Sequence, residues 1–337
     1  MPAEPAAARA PVAVIGGTGW LGRQLVPALA ATGRQVLVLA RNEPAHPLAA
    51  DARHSFLRFD LSTSKPADTA RLLAGAGVGL VVNATDAANA TDGWDRSEAE
   101  FARTNVRGVE SLLSALREIP RPVRLVHLGT VHEYGPVPRG TVVDETTVPQ
   151  PAHAYARTKL AGSDAVLDAA RAGQVEAVVL RLTSVSGPHP SPASFLGKLL
   201  HGLCEATVED PAVFRVTDAT RDFVDVEDVA DAVVRAGDAD LSGRAVNIGS
   251  GAATRIGEVV SVLREVSGLP DAAVRVERAE AGRGLGGDWM HADVRLAARL
   301  LGWRPMTSLR QSLEAMWKHS SCPGACRTRT LGTQSTR

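Results

Sequence analysis

The chain has 337 residues, 45% of them hydrophobic, and its 37 basic and 37 acidic side chains leave a formal net charge of zero. A neutral chain of this length can bury a large core, suits one large domain with a smaller lobe, and has no basic excess to recruit nucleic acid or an acidic membrane surface. No apolar run approaches the roughly eighteen residues of a membrane span, and Met1 to Pro11 lacks the basic start and apolar centre of an export signal, so a cytoplasmic protein is expected.

Residues 1–10 cannot bury enough surface to offset chain entropy and are expected to be disordered. Val12 to Ile15 then form a short apolar run suited to a strand buried on both faces, and Gly16, Gly17, Gly19 and Gly22 follow at once. Leu21, Leu25, Val26 and Leu29 recur at helical spacing. Strand, glycine turn and helix in that order place a diphosphate against bare backbone amides at a helix N-terminus, where the dipole favours negative charge. The candidate cradle is Gly16, Thr18, Gly19, Trp20, Leu21 and Gly22. Its spacing is Gly-x-x-Gly-x-x-Gly rather than the commoner Gly-x-Gly-x-x-Gly, and a tight turn without a ligand is the alternative.

A second strand, Val36 to Leu39, leads to Arg41, where a carboxylate would select NAD by bonding the adenine ribose and repelling a 2′-phosphate. An arginine fork suits that phosphate, so NADP(H) is the expected cofactor unless Arg41 merely caps the strand end and faces solvent. Further strands are expected at Gly79 to Val82, Arg124 to Leu128 and Ala177 to Leu180. Helices between them carry Leu72 and Leu73, then Val109, Leu112, Leu113 and Leu116, then Ala161, Ala165 and Val166. This alternation predicts an α/β fold, a Rossmann-type doubly wound parallel sheet over residues 11–187.

After Gly187 the alternation loosens. Residues 188–319 are expected to form mainly a smaller C-terminal substrate lobe, with segments near 222–250, including Asn247, returning to the sheet. Cys204, Cys322 and Cys326 show no metal-ligand spacing, no metal site is expected, and three cysteines fit a reduced compartment. Residues 320–337, rich in Ser, Thr and Arg, are expected to be a disordered tail.

Tyr155 and Lys159 carry the chemistry. The chain has only two tyrosines and four lysines, yet one of each stands four residues apart, on one face of an expected helix. A fixed ammonium beside a phenol stabilises the phenolate and should lower the tyrosine below its usual value near 10, making it an acid.

Together these residues resemble the short-chain dehydrogenase/reductase superfamily, in particular its extended branch acting on nucleotide sugars. Thr130, Val131, His132, Glu133, Tyr134 and Gly135 are similar to that branch's strand-end motif, and Arg181 to Pro188, Arg221 to Asp228, Asn247 to Gly251 and Leu301 to Pro305 resemble its later landmarks. The resemblance implies that Thr130 hydrogen-bonds the substrate oxygen and that Asn105 lies near the nicotinamide ribose. It also implies that Asp60 approaches the adenine, though Asp60 could equally serve a turn, and that Leu61, Ala84, Thr85, Thr183, Tyr155 and Lys159 line the cofactor. Val131, His132, Ser184, Arg221 and Arg283 would face the substrate, the two arginines toward its diphosphate.

His132 departs from the pattern. The family's 4,6-dehydratases carry Asp-Glu directly after the threonine, and a related epimerase-reductase making GDP-fucose has a cysteine at the His132 position. His132 could move protons, contact a sugar hydroxyl or pack against the sheet. The implied activity is NADPH-dependent reduction of a nucleotide-linked 4-keto-6-deoxyhexose, the dTDP form above all, as in deoxysugar pathways of antibiotic biosynthesis. A 4-epimerase that retains NAD is the alternative. A non-catalytic NADP(H)-sensing protein of the same fold is another, although such sensors typically lack the tyrosine and lysine. A homodimer through the helices after Asn105 and Tyr155 is expected from relatives.

Overall fold

The computed structural model describes residues 9–44, 53–86, 96–279, 287–320 and 322. β1 (Val12–Ile15) runs through the glycine turn into α1 (Trp20–Ala31), followed by β2 (Val36–Ala40), β3 (His54–Arg58), α2 (Pro66–Gly75) and β4 (Leu80–Asn83). Next come α3 (Glu98–Ala102), a π-helical turn over Arg103–Gly108, α4 (Val109–Glu118), β5 (Arg124–Thr130) and a 3-10 turn over Val131–Tyr134. Then α5 (Ala154–Arg171) crosses to β6 (Glu176–Leu182). The remainder is β7 (Ser184–Ser186), α6 (Phe195–Glu205), β8 (Ala212–Val216), β9 (Thr220–Arg221), β10 (Phe223–Asp225), α7 (Val226–Asp238), β11 (Arg244–Ile248), β12 (Thr254–Arg255), α8 (Ile256–Ser267), β13 (Val274–Arg278), α9 (Arg295–Leu301) and α10 (Leu309–Lys318).

Seven of the strands form one parallel sheet in the order β11-β6-β5-β4-β1-β2-β3. Val12 lies opposite both Val36 and Leu80, and Ile15 opposite Leu39 and Asn83. Because side chains alternate along a strand, Val12 and Val14 enter one core with α1 and α7, while Ala13 and Ile15 enter the other with α2, α4 and α5. Burial on both faces is why these strands read as unbroken apolar runs. The chain winds outward from β1 through β2 to β3 and from β4 through β5 to β6, so direction reverses between β1 and β4. A crevice opens there at the C-terminal strand ends, the position where open α/β sheets bind ligands. The expected Rossmann-type sheet is therefore the observed fold. β3, a half-exposed edge strand reading His-Ser-Phe-Leu-Arg, had no periodic signal and went unforeseen.

A third core joins α6, α8 and α10 through Leu196, Leu199, Leu263, Leu313, Met316 and Trp317, beside the parallel pair β8 and β13. Trp303, just after α9, is buried instead against the sheet's helices, its indole N–H donating to Asp228 O at 2.9 Å. The cysteines correct one expectation. Cys322, assigned to a disordered tail, is buried in the lobe core and paired with Cys204 on α6, Cα atoms 5.0 Å apart. The two positions are 118 residues apart, so no local pattern could pair them. Residue 321, residues 323–337 and residues 1–8 lie outside the described residues. Among the described residues no helix is long and apolar enough to cross a membrane, and no group of three His, Cys, Asp or Glu is placed to hold a metal.

Candidate active site

The glycine turn is shaped by what its missing side chains permit. Gly16 takes φ +85°, and a Cβ there would lie 2.8 Å from Ala84 O; at Gly22 it would lie 2.5 Å from Gly16 O and the Gly17 backbone. α1 follows Gly19 with no side-chain cap and no acidic residue in its first turn, so no carboxylate of its own competes for its leading N–H groups. That cradle fits the diphosphate of a dinucleotide. Trp20 leaves it to donate its indole N–H to Pro188 O at 2.8 Å, tying the turn to the start of the lobe, while Leu21 packs on the core beneath.

Around the crevice the expected cofactor residues fall into place unevenly. Arg41 is exposed just past the end of β2. Asp60 serves a turn, its Oδ1 accepting from Ser62 N at 2.9 Å and Ser62 Oγ at 2.7 Å, and Leu61 is buried over Gly108. Thr85 is held by Asn83, whose Oδ1 accepts from its N–H at 3.2 Å and its hydroxyl at 2.7 Å; Asn83 is itself locked to His127 Nδ1 at 3.1 Å. Asn105, in the π-helical turn, donates to Thr158 Oγ1 at 3.2 Å, and that hydroxyl donates to Tyr155 O at 2.9 Å. Asn105 thus acts first on the helix bearing Tyr155. The Thr183 hydroxyl is committed to Asp222 at 3.3 Å, and Ser184 is half-buried beside it.

Thr130, Tyr155 and Lys159 converge. Thr130 ends β5, its N–H donating to Glu133 Oε1 at 3.0 Å and its hydroxyl oxygen accepting from His132 N at 3.3 Å. His153 caps α5 by accepting from Ala156 N at 3.2 Å, which sets Tyr155 and Lys159 on the face against β5. The Tyr155 phenol is buried, hydrogen-bonded with Thr130, and donates to Asp86 Oδ2 at 2.8 Å. Lys159 donates to Leu128 O at 2.6 Å. The expected acidified tyrosine is corrected: burial first, then the charge of Asp86 and its hydrogen bond, then Glu133, push the phenol well above its ordinary value, and Thr130 opposes them.

Three rings frame the phenol. His153 stacks on it at 6.1 Å, and Phe101 and His132 meet it edge-on at 5.7 and 6.4 Å. Burial, with His153 and Arg221 adding, pushes His132 down to about 3, so it is a neutral imidazole at physiological pH. Arg221 donates to Thr220 O at 2.9 Å and Gly287 O at 2.5 Å. Val131 is packed with Tyr134, Val143 and Met290, its side chain spent on that cluster. Arg283 lies outside the described residues. Asp86 and His153 escaped sequence reading; their only signals were an acid just past the fourth strand and a cap position two residues before Tyr155.

A parallel sheet with a glycine cradle at its switch point and a Thr-Tyr-Lys group beside it defines an enzyme of the extended short-chain dehydrogenase/reductase class. Residues 12–249 match the model of the NAD dependent epimerase/dehydratase family, and the chain belongs to that family. A relative from Kitasatospora kifunensis, dTDP-6-deoxy-L-talose 4-dehydrogenase (NAD(P)(+)), is 38% identical over 320 residues, covering 94% of this chain and 98% of its own. GDP-6-deoxy-D-mannose reductase of Pseudomonas aeruginosa is 27% identical over 66% of this chain and 73% of its own. The structure of MoeE5 in complex with UDP-glucuronic acid and NAD superposes with a TM-score of 0.77 at 27% identity, covering 94% of this chain and 99% of that one.

Proposed function

We propose that the protein reduces the C4 ketone of a dTDP-linked 4-keto-6-deoxyhexose with NADPH. The observation that carries this reading is the buried Tyr155 phenol, kept protonated beside Thr130 and Lys159 at the sheet's switch point. The relative named as acting at C4 of a dTDP-6-deoxyhexose supports the substrate class, since a ketone reduction is the reverse of such a dehydrogenation. Exposed Arg41 supports NADPH, its guanidinium matching a 2′-phosphate.

NADPH, when bound, would supply the hydride for C4. The glycine cradle and the first turn of α1 would hold its diphosphate, and Lys159 and Asn105 would lie toward its nicotinamide ribose. Thr130 donates a hydrogen bond to the C4 oxygen as negative charge grows there, and Tyr155 passes its phenolic proton to that oxygen. The phenolate left behind recovers a proton from solvent. Holding ketone, hydride donor and acid in one closed site lowers most of the barrier. Neutral His132 would offer a ring nitrogen to a sugar hydroxyl rather than an imidazolium proton, and the Arg221 guanidinium would suit the diphosphate of the substrate.

Epimerases among the relatives support a second reading, 4-epimerisation with retained NAD. Adding dTDP-4-keto-6-deoxyglucose and NADPH separates the two. Stoichiometric loss of NADPH absorbance with a new C4 carbinol in the NMR spectrum is expected, and Tyr155→Phe should bind NADPH normally while turning over about a hundredfold more slowly. Sugar conversion without NADPH consumption would overturn the reductase reading.

A further inference from the structure

We propose that Asp86 is a positioning residue that keeps the proton on Tyr155 until a substrate oxygen takes over the phenol's hydrogen bond, and thereby sets the pH range in which ketone reduction and alcohol oxidation each run. The inference rests on the reading of Tyr155 as proton donor.

The geometry is specific. A phenol has one hydrogen to donate, and Tyr155 gives it to Asp86 Oδ2 at 2.8 Å. Asp86 is exposed at the crevice mouth whereas Tyr155 is 5% exposed, so a solvated carboxylate touches the end of a buried acid. It is not loosely placed: Asn83, fixed by His127, grips the neighbouring Thr85 through two hydrogen bonds. A ketone oxygen receiving the proton must replace Asp86 as acceptor, because both cannot hold the one hydrogen.

Among the charges facing the phenol, Asp86 acts most strongly. Glu133, after β5, acts in the same sense but more weakly, its carboxylate being paired with Arg181 at 2.8 Å. His132 and His153 are both pushed below their ordinary value by burial and are neutral at pH 7. Phe101 on α3 is apolar. Lys159 on α5 spends a hydrogen bond on Leu128 O. A carboxylate in direct contact opposes formation of a phenolate, and so favours an acid able to give a proton over a base able to take one. The overall equilibrium of the reaction is untouched. What Asp86 changes is the pH at which Tyr155 switches from donor to acceptor, with a buried phenol as the resting form.

Asp86→Asn tests this, because it keeps shape and an acceptor oxygen but removes the charge; Asp86→Glu restores the charge. Two readouts are taken on enzyme saturated with NADP+. The first is the near-ultraviolet tyrosinate band against pH. It has only two contributors, Tyr155 and Tyr134, the latter pushed up to about 12 by burial and identified by the Tyr155→Phe variant. The second is the rate against pH in both directions, with dTDP-6-deoxy-L-talose for oxidation and its 4-keto form for reduction. In Asp86→Asn the Tyr155 band should emerge at lower pH, oxidation at neutral pH should quicken by roughly tenfold, and the alkaline fall of reduction should begin earlier, with Asp86→Glu close to wild type. A wild-type tyrosinate titration in a normally melting Asp86→Asn protein, with or without a uniform rate loss, would overturn the proposal. Wild-type turnover by Tyr155→Phe would instead remove the underlying reading of Tyr155.

Discussion

Gly162 of α5 faces Asn105 so closely that a methyl group built on it would lie 2.1 Å from the Asn105 carbonyl oxygen. The π-helical turn at Arg103–Gly108 pushes that carbonyl toward α5, and such turns recur where a helix must meet a functional element. Since α5 carries Tyr155 and Lys159 two turns and one turn earlier, its distance from this turn sets how deep both reach.

Gly162→Ala should therefore damage activity out of proportion to stability. The added carbon meets backbone, which cannot rotate away, so α5 must shift. Destabilisation of about 1–3 kcal/mol is expected in denaturant unfolding, together with a loss of turnover of tenfold or more, because an ångström of displacement spoils a proton transfer. Wild-type kinetics would show that the helix pair gives way without moving the phenol.

Glu133 and Arg181 form the buried charge pair beneath the same site, Nε to Oε2 2.8 Å, with Ser163 Oγ and Thr130 N also donating to the carboxylate. The guanidinium in turn lies 4.6 Å from the Tyr134 ring centre. Removing one partner strands a charge away from water. Glu133→Ala should cost about 3–5 kcal/mol, and a double replacement with Arg181→Met should recover part of that loss. Thermal unfolding of the single and double variants checks both the loss and its partial recovery.

What could be read from the chain alone follows the range of each signal. The strand at Val12–Ile15, the glycines after it and the four-residue step from Tyr155 to Lys159 are local patterns, set by periods of two and 3.6 residues and by bare backbone at a helix start. β3 escaped because an edge strand with Ser55 and Arg58 on open faces has no apolar run. Asp86 lies 69 residues from the phenol it accepts from, and Cys204 lies 118 from Cys322; such pairings depend on how distant parts of the chain are brought together. The expectation for Tyr155 failed for the same reason. Lys159 was visible at i+4, but the burial and the two carboxylates that dominate the phenol come from other parts of the chain.

Arg41 gives a prediction about cofactor choice. It is exposed past β2, with Asn42 and Glu43 beside it also exposed. Arg41→Ala should raise the KM for NADPH by about tenfold or more while leaving that for NADH within about twofold, the loss of one charge-assisted contact to a 2′-phosphate. Parallel steady-state measurements with the two coenzymes decide it; equal losses for both would place Arg41 elsewhere than on that phosphate.

The neutral histidines make stability fall in acid. His132 is pushed down to about 3, chiefly by burial and then by His153 and Arg221, while His127 is pushed well below its ordinary 6.5 by burial and by Lys159. Above pH 6.5 both groups are neutral whether the chain is folded or not, and the native state keeps its full margin. As pH falls below 6.5, the unfolded chain takes up protons that the folded chain refuses, so stability drops until His132 itself titrates near 3. Each such group costs at most about 1.4 kcal/mol per pH unit across that window. Urea unfolding at pH 7 and pH 5 should show a marked loss in the wild type and a smaller one in His132→Gln, which cannot charge. An equal loss in the variant would mean that His132 is protonated in the folded enzyme, beside Arg221, at pH 5.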